Sequence, residues 1–388
     1  MKIKSIKLDD VDNNSRAITI NTSEKNIETP NRSIATSEIN KFKGMRLKSD
    51  EPPSPFDVVE ETFPWQIYQV PLEYGVKVRT NLGRVNGLKT KINAVKSNVN
   101  IPNKMLEKHE SENILKILYP KVNRKDKIDE VFMTSLMELE CKVGLDIITV
   151  PEPSPGCSYE DFISNLKLVT SFLDDFGCTK PIMPMIDIKS NKSSFDKKIN
   201  YLVDQHLNYN KDFNLLGVSC RVYGDEVNLH TLRSMSDKFE KSWIHGFGAY
   251  RNQPNKTFYN PHAATIWGID TIGVTPQGKY IPGVTDQNNN SNAPNFKLRM
   301  YTEDSWGIYK GSKKFVEEHL CDCDGCNYFK KTSDVTKLQN SLDVHELIQS
   351  HNQIVSSRQN IQEEDYLSLI KEKSDLKNYY ADYIEDIK

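Results

Sequence analysis

The run HLCDCDGCNYF, residues 319–329, holds three of the chain's seven cysteines within six positions. C-x-C-x2-C spacing lets three thiolates converge on one tetrahedral ion, and zinc suits such a soft, closely spaced set. Two histidines follow, His345 and His351. A helix is predicted with Ser341 as N-cap and an apolar stripe at Val344, Leu347, Ile348, Ile354 and Val355. His351 lies on that stripe and points inward, whereas His345 falls on the polar side. His351 is therefore the expected fourth ligand beside Cys321, Cys323 and Cys326. Four protein ligands leave no open coordination position, so the expected zinc is structural and pins helix to loop.

A second feature with chemical potential is Asp270, the only carboxylate in the apolar run IWGIDTIGV, residues 266–274. A buried aspartate needs a reason, either chemistry or the capping of a neighbouring segment. A third is the run at 77–96, where Lys77, Arg79, Arg84, Lys89 and Lys91 occur with no acid between them. Such a stripe either neutralises phosphates or is ordinary solvated surface. Arg221, just beyond a predicted strand, is a further phosphate contact to consider. Neither G-x-G-x-x-G nor a G-x-x-x-x-G-K-[ST] loop occurs, which removes the simplest nucleotide-binding readings.

These residues need elements to position them. Short apolar runs recur through the middle of the chain: IYQVPL (67–72), EVFMT (130–134), LDIITV (145–150), PIMPMI (181–186), NLLGVS (214–219), WIHGFG (243–248) and IWGIDTIGV. Bounded by glycine or proline, they read as buried parallel strands. Helical periodicity separates several of them, as in DFISNLKLVTSFLDDFG (161–177). Alternation of strand and helix predicts an α/β fold, and seven or eight units favour a (β/α)8 TIM-like barrel over a doubly wound sheet. The expected division is a polar, partly irregular N-terminal segment at 1–55, with a short strand or hairpin at IKSIKL and RAITI. A barrel follows at 56–315, then a zinc-binding subdomain at 316–358 and a C-terminal helix at 359–388. The 388 residues carry a net charge of −2, so no global basic field announces nucleic acid. Four isolated cysteines (Cys141, Cys157, Cys178, Cys220) beside one cluster suggest a reducing compartment. With no apolar run behind the first lysines and none long enough to span a bilayer, the expectation is a soluble cytoplasmic protein.

CxCxxC followed by a histidine in a His-Asn pair resembles the C-terminal zinc site of the tRNA-guanine transglycosylase family. MELECKVGLDIITVPEPSP (137–155) is similar to that family's helix leading into a Gly-x-Asp-Ile strand that ends in an acidic residue. WIHGFG and ATIWGIDTIGVTP (264–276) resemble its nucleophile-bearing strand pair. The likeness covers roughly residues 130–355. It implies a (β/α)8 barrel with an inserted zinc subdomain that exchanges guanine in a nucleic acid, tRNA or DNA, for a 7-deazaguanine base, with a homodimer fitting the family.

Carried over residue by residue, the resemblance makes Asp270 the nucleophile on the sugar C1′. It makes Glu152 the acceptor for the base N–H groups, Asp187 a polar base contact, and Ser219 part of a small-residue strand end against the base. Two registers are open. In family members with two aspartates three apart, the second attacks, and here that position is Gly273; in the other register Asp270 itself attacks. The family's Asp-Ser-Gly-Gly-Phe segment, which supplies a second carboxylate, has no counterpart here; Asp57, Glu60, Glu61 and Glu73 occupy the zone without the context. Two functions follow: a base-exchange transglycosylase, or a non-catalytic partner subunit that keeps barrel and zinc for dimerisation or substrate docking.

Overall fold

The computed structural model describes residues 1–12, 15–35, 38, 65–73, 114–122, 127–204, 213–220, 241–248, 262–273, 298–333 and 335–373. It is a mixed α/β structure organised by parallel strands. A six-stranded sheet contains β4 (Asn31–Arg32), β8 (Ile148–Val150), β9 (Ile182–Asp187), β10 (Asn214–Ser219), β11 (Ser242–Phe247) and β12 (Thr271–Gly273) in the order β4-β12-β11-β10-β9-β8. A three-stranded parallel sheet contains β5 (Ile34–Ala35), β6 (Ile67–Glu73) and β7 (Leu115–Lys121). β4 and β5 are consecutive stretches of one segment. On the other side, Asp146, just before β8, donates its N–H to the carbonyl of Lys116 in β7 at 2.9 Å and accepts the Lys116 N–H on its carboxylate at 2.7 Å.

Parallel strands buried on both faces alternate their side chains between two cores. One face carries Ile67, Leu115, Ile117, Met183, Leu215 and Trp243. The other carries Val70, Leu118, Ile148, Ile182, Ile186, Leu216 and Ile244, and meets the helices. These are α1 (Glu130–Lys142), α2 (Tyr159–Asp175) and α3 (Lys192–Asp204). EVFMT, expected as a strand, lies at the start of α1. Asp129 caps this helix by accepting the Phe132 N–H at 2.8 Å, and the pattern Phe132, Met133, Leu136, Met137 buries a helical stripe. Ser158 caps α2, which buries Phe162, Leu166, Val169 and Leu173, each worth about 1.5–3 kcal/mol of apolar burial.

The N-terminal segment is more regular than its composition suggests. β1 (Ile3–Asp12), β2 (Ser15–Thr22) and β3 (Asn26–Glu28) form an antiparallel sheet. Its Ile3, Ile6, Ile18, Ile20 and Ile27 join the core that includes Phe213, Leu215 and Trp243, at the N-terminal ends of β10 and β11. The sheet therefore covers one end of the parallel strands.

The C-terminal part comprises the hairpin β13 (Leu298–Thr302) and β14 (Gly307–Gly311) and the helices α4 (Lys313–Glu318), α5 (Asp324–Phe329), α6 (Val335–Gln362) and α7 (Tyr366–Glu372). α6 begins six residues before Ser341, which is therefore not its N-cap; Ser341 is buried inside the helix and its hydroxyl donates to the Leu338 carbonyl at 2.6 Å. The helix also runs through the expected boundary at 358. Two apolar stripes explain its length. Leu338 and Leu342 pack with Phe329 and Cys326, while Val344, Leu347 and Ile354 pack in the main core. Arg358 then anchors its last turns to the N-terminal sheet, donating to the carbonyls of Ile18 (3.0 Å) and Thr29 (2.7 Å) and to Asp9 (2.7 Å). Among the described residues no helix is long and apolar enough to cross a membrane.

Candidate metal centre and strand-end cleft

Cys321, Cys323, Cys326 and His345 bring their ligand atoms within 4.8 Å of one another, a group that could hold a metal ion. His345 Nδ1 lies 3.4 Å from Cys321 Sγ and 3.2 Å from both Cys323 and Cys326 Sγ; Cys321 and Cys326 Sγ are 3.7 Å apart. Ligand bonds of about 2.3 Å to sulfur and 2.0 Å to nitrogen in a tetrahedron place the sulfurs ~3.8 Å apart and sulfur and nitrogen ~3.5 Å apart. The donor set fits a four-coordinate ion.

The fourth donor is thus His345, which corrects the expectation of His351. His345 continues the Leu338–Leu342 stripe of α6, which faces the cysteines. Six residues on, ~9 Å along the axis, His351 lies on the other stripe, buried with its ring 5.4 Å from that of Trp65. The surroundings also orient His345. Its Nε2 lies 2.9 Å from the Tyr301 carbonyl, which can only accept, so Nε2 carries the proton and Nδ1 turns a lone pair to the sulfurs. Gln349 donates to Cys321 Sγ at 3.5 Å. Gly325 is required by close approach: a Cβ there would lie 2.5 Å from the Ser341 carbonyl and 2.6 Å from the His345 nitrogen. Hydrogen bonds from Cys323 and Cys326 pull the Cys321 thiol far down, and the same contacts push the Cys326 thiol far up.

At the C-terminal ends of the strands, Glu152, Asp187 and Ser219 line one shallow, open cleft, with Pro120, Pro151 and Met185 among its apolar walls. Strand register explains the meeting. Asp187 pairs with Ser219, and Glu152 follows β8 by two residues. Burial pushes Glu152 up to about 7, against the pull of the Lys198 ammonium 2.6 Å from its Oε1. Its Oε2 accepts the Gly156 N–H at 2.6 Å. Asp187 accepts the Lys189 N–H at 2.9 Å. Lys198, fully buried on α3, also lies 3.4 Å from the Ser190 hydroxyl. Nothing in its polar local sequence marked it as a partner of Glu152, because the contact spans 46 positions.

Asp270 does not join this cleft. Ser219 pairs with Phe247 and Phe247 with Gly273, so Gly273 is the β12 residue at the level of the cleft. Asp270 lies three residues earlier, ~10 Å down the strand direction. It is fully buried, accepts the Ile244 N–H at 2.7 Å and pairs with Arg16 of β2 at 3.4 Å. Burial pushes it up to about 6 against that guanidinium. The aspartate is a strut between the parallel strands and the N-terminal sheet, which corrects its expected place at the strand mouth. At Gly273 any side chain would have to displace its neighbours: a Cβ would lie 1.9 Å from Gln69 Oε1 and 2.8 Å from His245 Nε2. Lys77, Arg79, Arg84, Lys89, Lys91 and Arg221, with Asp57, Glu60 and Glu61, lie outside the described residues. Compared with protein-family models and with curated proteins, the chain matches none.

Proposed function

We propose that this chain is a zinc-pinned (β/α)8 barrel of guanine-transglycosylase type, which seats a guanine-like base between Glu152, Asp187 and Ser219 and exchanges it in a nucleic acid. The carrying observation is the convergence of these three residues, from three neighbouring strands, on one cleft at the strand ends. Two carboxylates match the N–H edge of guanine, and the hydroxyl can donate or accept. The site lies where barrels and open α/β sheets bind ligands. Eight segments, β4–β5 together and then β6 to β12 singly, are linked from neighbour to neighbour by the two parallel sheets and the Asp146–Lys116 bond, which supports a closed ring. The Cys3His donor set supports structural zinc, held by Cys321, Cys323, Cys326 and His345.

The attacking group of such an exchange is not Asp270, which is locked in its ion pair with Arg16. A second reading has a specific observation in its favour: with glycine at 273 and its Cβ space filled, the chain binds a base and docks a nucleic acid as a non-catalytic partner. One experiment separates the two. Zinc-loaded protein is titrated with guanine and 7-deazaguanines by calorimetry, then incubated with labelled guanine and, separately, DNA and tRNA. Binding that is lost in Asp187→Ala, together with label incorporated into one polymer, is the expected result. Binding without incorporation selects the partner reading, and no binding refutes both.

A further inference from the structure

A lysine sits where the core calls for an apolar residue. α3 buries Phe195, Ile199 and Leu202, and Lys198 lies among them, fully buried. Burying an ammonium is costly unless it is paired and hydrogen-bonded. Here its three protons meet three acceptors: Glu152 Oε1 at 2.6 Å, Ser190 Oγ at 3.4 Å and Cys157 Sγ at 3.7 Å. The Phe162 ring adds a cation–π contact, its centroid 5.5 Å from the nitrogen. Glu152 and Cys157 belong to the loop between β8 and α2, and Ser190 follows β9 by three residues. The ammonium therefore joins the two strand ends from which Glu152 and Asp187 enter the cleft.

Glu152 is held through both of its oxygens. Lys198 takes Oε1, and the Gly156 N–H donates to Oε2 at 2.6 Å. Gly156 reaches that place at φ 73°, a left-handed conformation that favours glycine. An ionised carboxylate accepts at about four lone-pair positions, so each oxygen keeps one for a ligand. The charged groups facing Glu152 are Lys198 from α3 and Asp187 from β9. Cys157, just before α2, is a neutral thiol that burial pushes up to about 12. Burial and the Asp187 charge favour the protonated carboxyl of Glu152, and Lys198 is the main opposition to them, ahead of the Gly156 N–H. The charge state decides what Glu152 can meet. As an anion it only accepts, and suits a base edge with neighbouring N–H donors. Protonated, it also donates, and suits an edge that sets an acceptor nitrogen beside a donor, as adenine does.

We propose that Lys198 is the positioning residue that sets the specificity of the cleft: its ammonium fixes Glu152 as an ionised acceptor, so that the cleft takes an edge of paired N–H donors and refuses an acceptor nitrogen. The inference rests on the reading of the cleft as a base site. Lys198 touches no ligand itself and acts through Glu152.

The test uses the full-length, zinc-loaded protein and Lys198→Met, which removes the charge and keeps the stem. The Glu152 carboxyl is titrated by NMR with carbon-13 in the glutamate side chains, and its resonance is assigned by its absence in Glu152→Gln. The expected midpoint is about 7 in the wild type, moving up by roughly 1–3 units in Lys198→Met. At a pH between the two midpoints, calorimetry with guanine and adenine should show the guanine preference falling on the order of ten-fold in Lys198→Met, the worth of one hydrogen bond. An unmoved midpoint overturns the proposal, as does an unmoved guanine-to-adenine ratio. A wild type that binds neither purine refutes the base-exchange reading instead, and the titration still decides the hold of Lys198 on Glu152. Should Lys198→Met fail to fold, the wild type decides. One lysine ammonium nitrogen-15 resonance should step with the Glu152 midpoint and lose that step in Glu152→Gln; the absence of such a resonance overturns the proposal.

Discussion

Replacing His345 by alanine should strip the metal from the C-terminal lobe, whereas replacing His351 should leave it in place. A structural zinc site contributes roughly 10–16 kcal/mol of apparent binding energy, or about 2.5–4 kcal/mol for each of four ligands. At 1.4 kcal/mol per tenfold, losing His345 should weaken zinc by roughly 10²–10³-fold. The same change frees the Tyr301 carbonyl, which accepts from His345 at 2.9 Å, and opens a gap beside Leu342. The loss should therefore reach the fold as well as the ion. His351→Ala removes a buried ring packed against Trp65, a packing cost without loss of a ligand. The assay is zinc per chain by elemental analysis after dialysis against a competing chelator, with thermal denaturation alongside. His345→Ala that keeps stoichiometric zinc through the chelator, or His351→Ala that loses it, would refute the ligand assignment.

Four other outcomes follow from the site. Arg16→Met leaves Asp270 buried without its cation and should cost about 3–5 kcal/mol in denaturant unfolding, with Asp270→Asn restoring part of the loss in the double variant. Gly273→Ala places a methyl group 1.9 Å from Gln69 Oε1 and should lower stability by about 1–3 kcal/mol, read as a drop in Tm. Glu152 and Asp270 have folded pKa values raised to about 7 and about 6 from 4.5 and 3.8, so the folded state holds protons that the unfolded chain releases. Ligand-free stability should therefore fall as pH rises through that window, and Glu152→Gln and Asp270→Asn should each flatten the decline. Base binding should change the opposite way, tightening as Glu152 ionises near pH 7, with Glu152→Gln removing the dependence.

The metal centre was legible in the cysteine spacing but its histidine was not. Helix phase was read from a start at Ser341, which cut Leu338 out of the pattern. With Leu338 included, Leu338, Leu342 and His345 form a second stripe, and the supposed polar side of the helix faces the metal lobe. A helix buried on two sides has no single apolar stripe from which to choose an inward residue. The strand runs at 67, 145, 181, 214 and 243 were legible because strands buried on both faces are apolar almost without break. EVFMT misled for the same reason: a short apolar run does not distinguish a strand from a buried helical turn. β7 was missed because Lys116 and Pro120 interrupt it. Asp270 was legible as a buried carboxylate that needs a reason, chemistry or capping, but not as the partner of an arginine. That partner, Arg16, stands 254 positions away on the N-terminal sheet, and no local pattern records such a distance. Glu152, Asp187 and Ser219 were identified through the resemblance, and each follows or ends a strand whose register could be anticipated.

The grip of Arg358 on the N-terminal sheet bears on how the chain is made. β1 and β2 are synthesised well before α6, yet their tie to it requires residues made more than three hundred positions later, and Arg16 must wait for Asp270. At roughly 5–20 residues per second, that interval is on the order of tens of seconds. Throughout it Ile3, Ile6, Ile18 and Ile20 have no finished strand ends to cover. The ribosome thus releases this sheet long before its seat exists, and α6 locks it in place. A nascent chain stalled before α6 should present those isoleucines to chaperones, and loss of metal from the other end of the same helix should prolong that exposure.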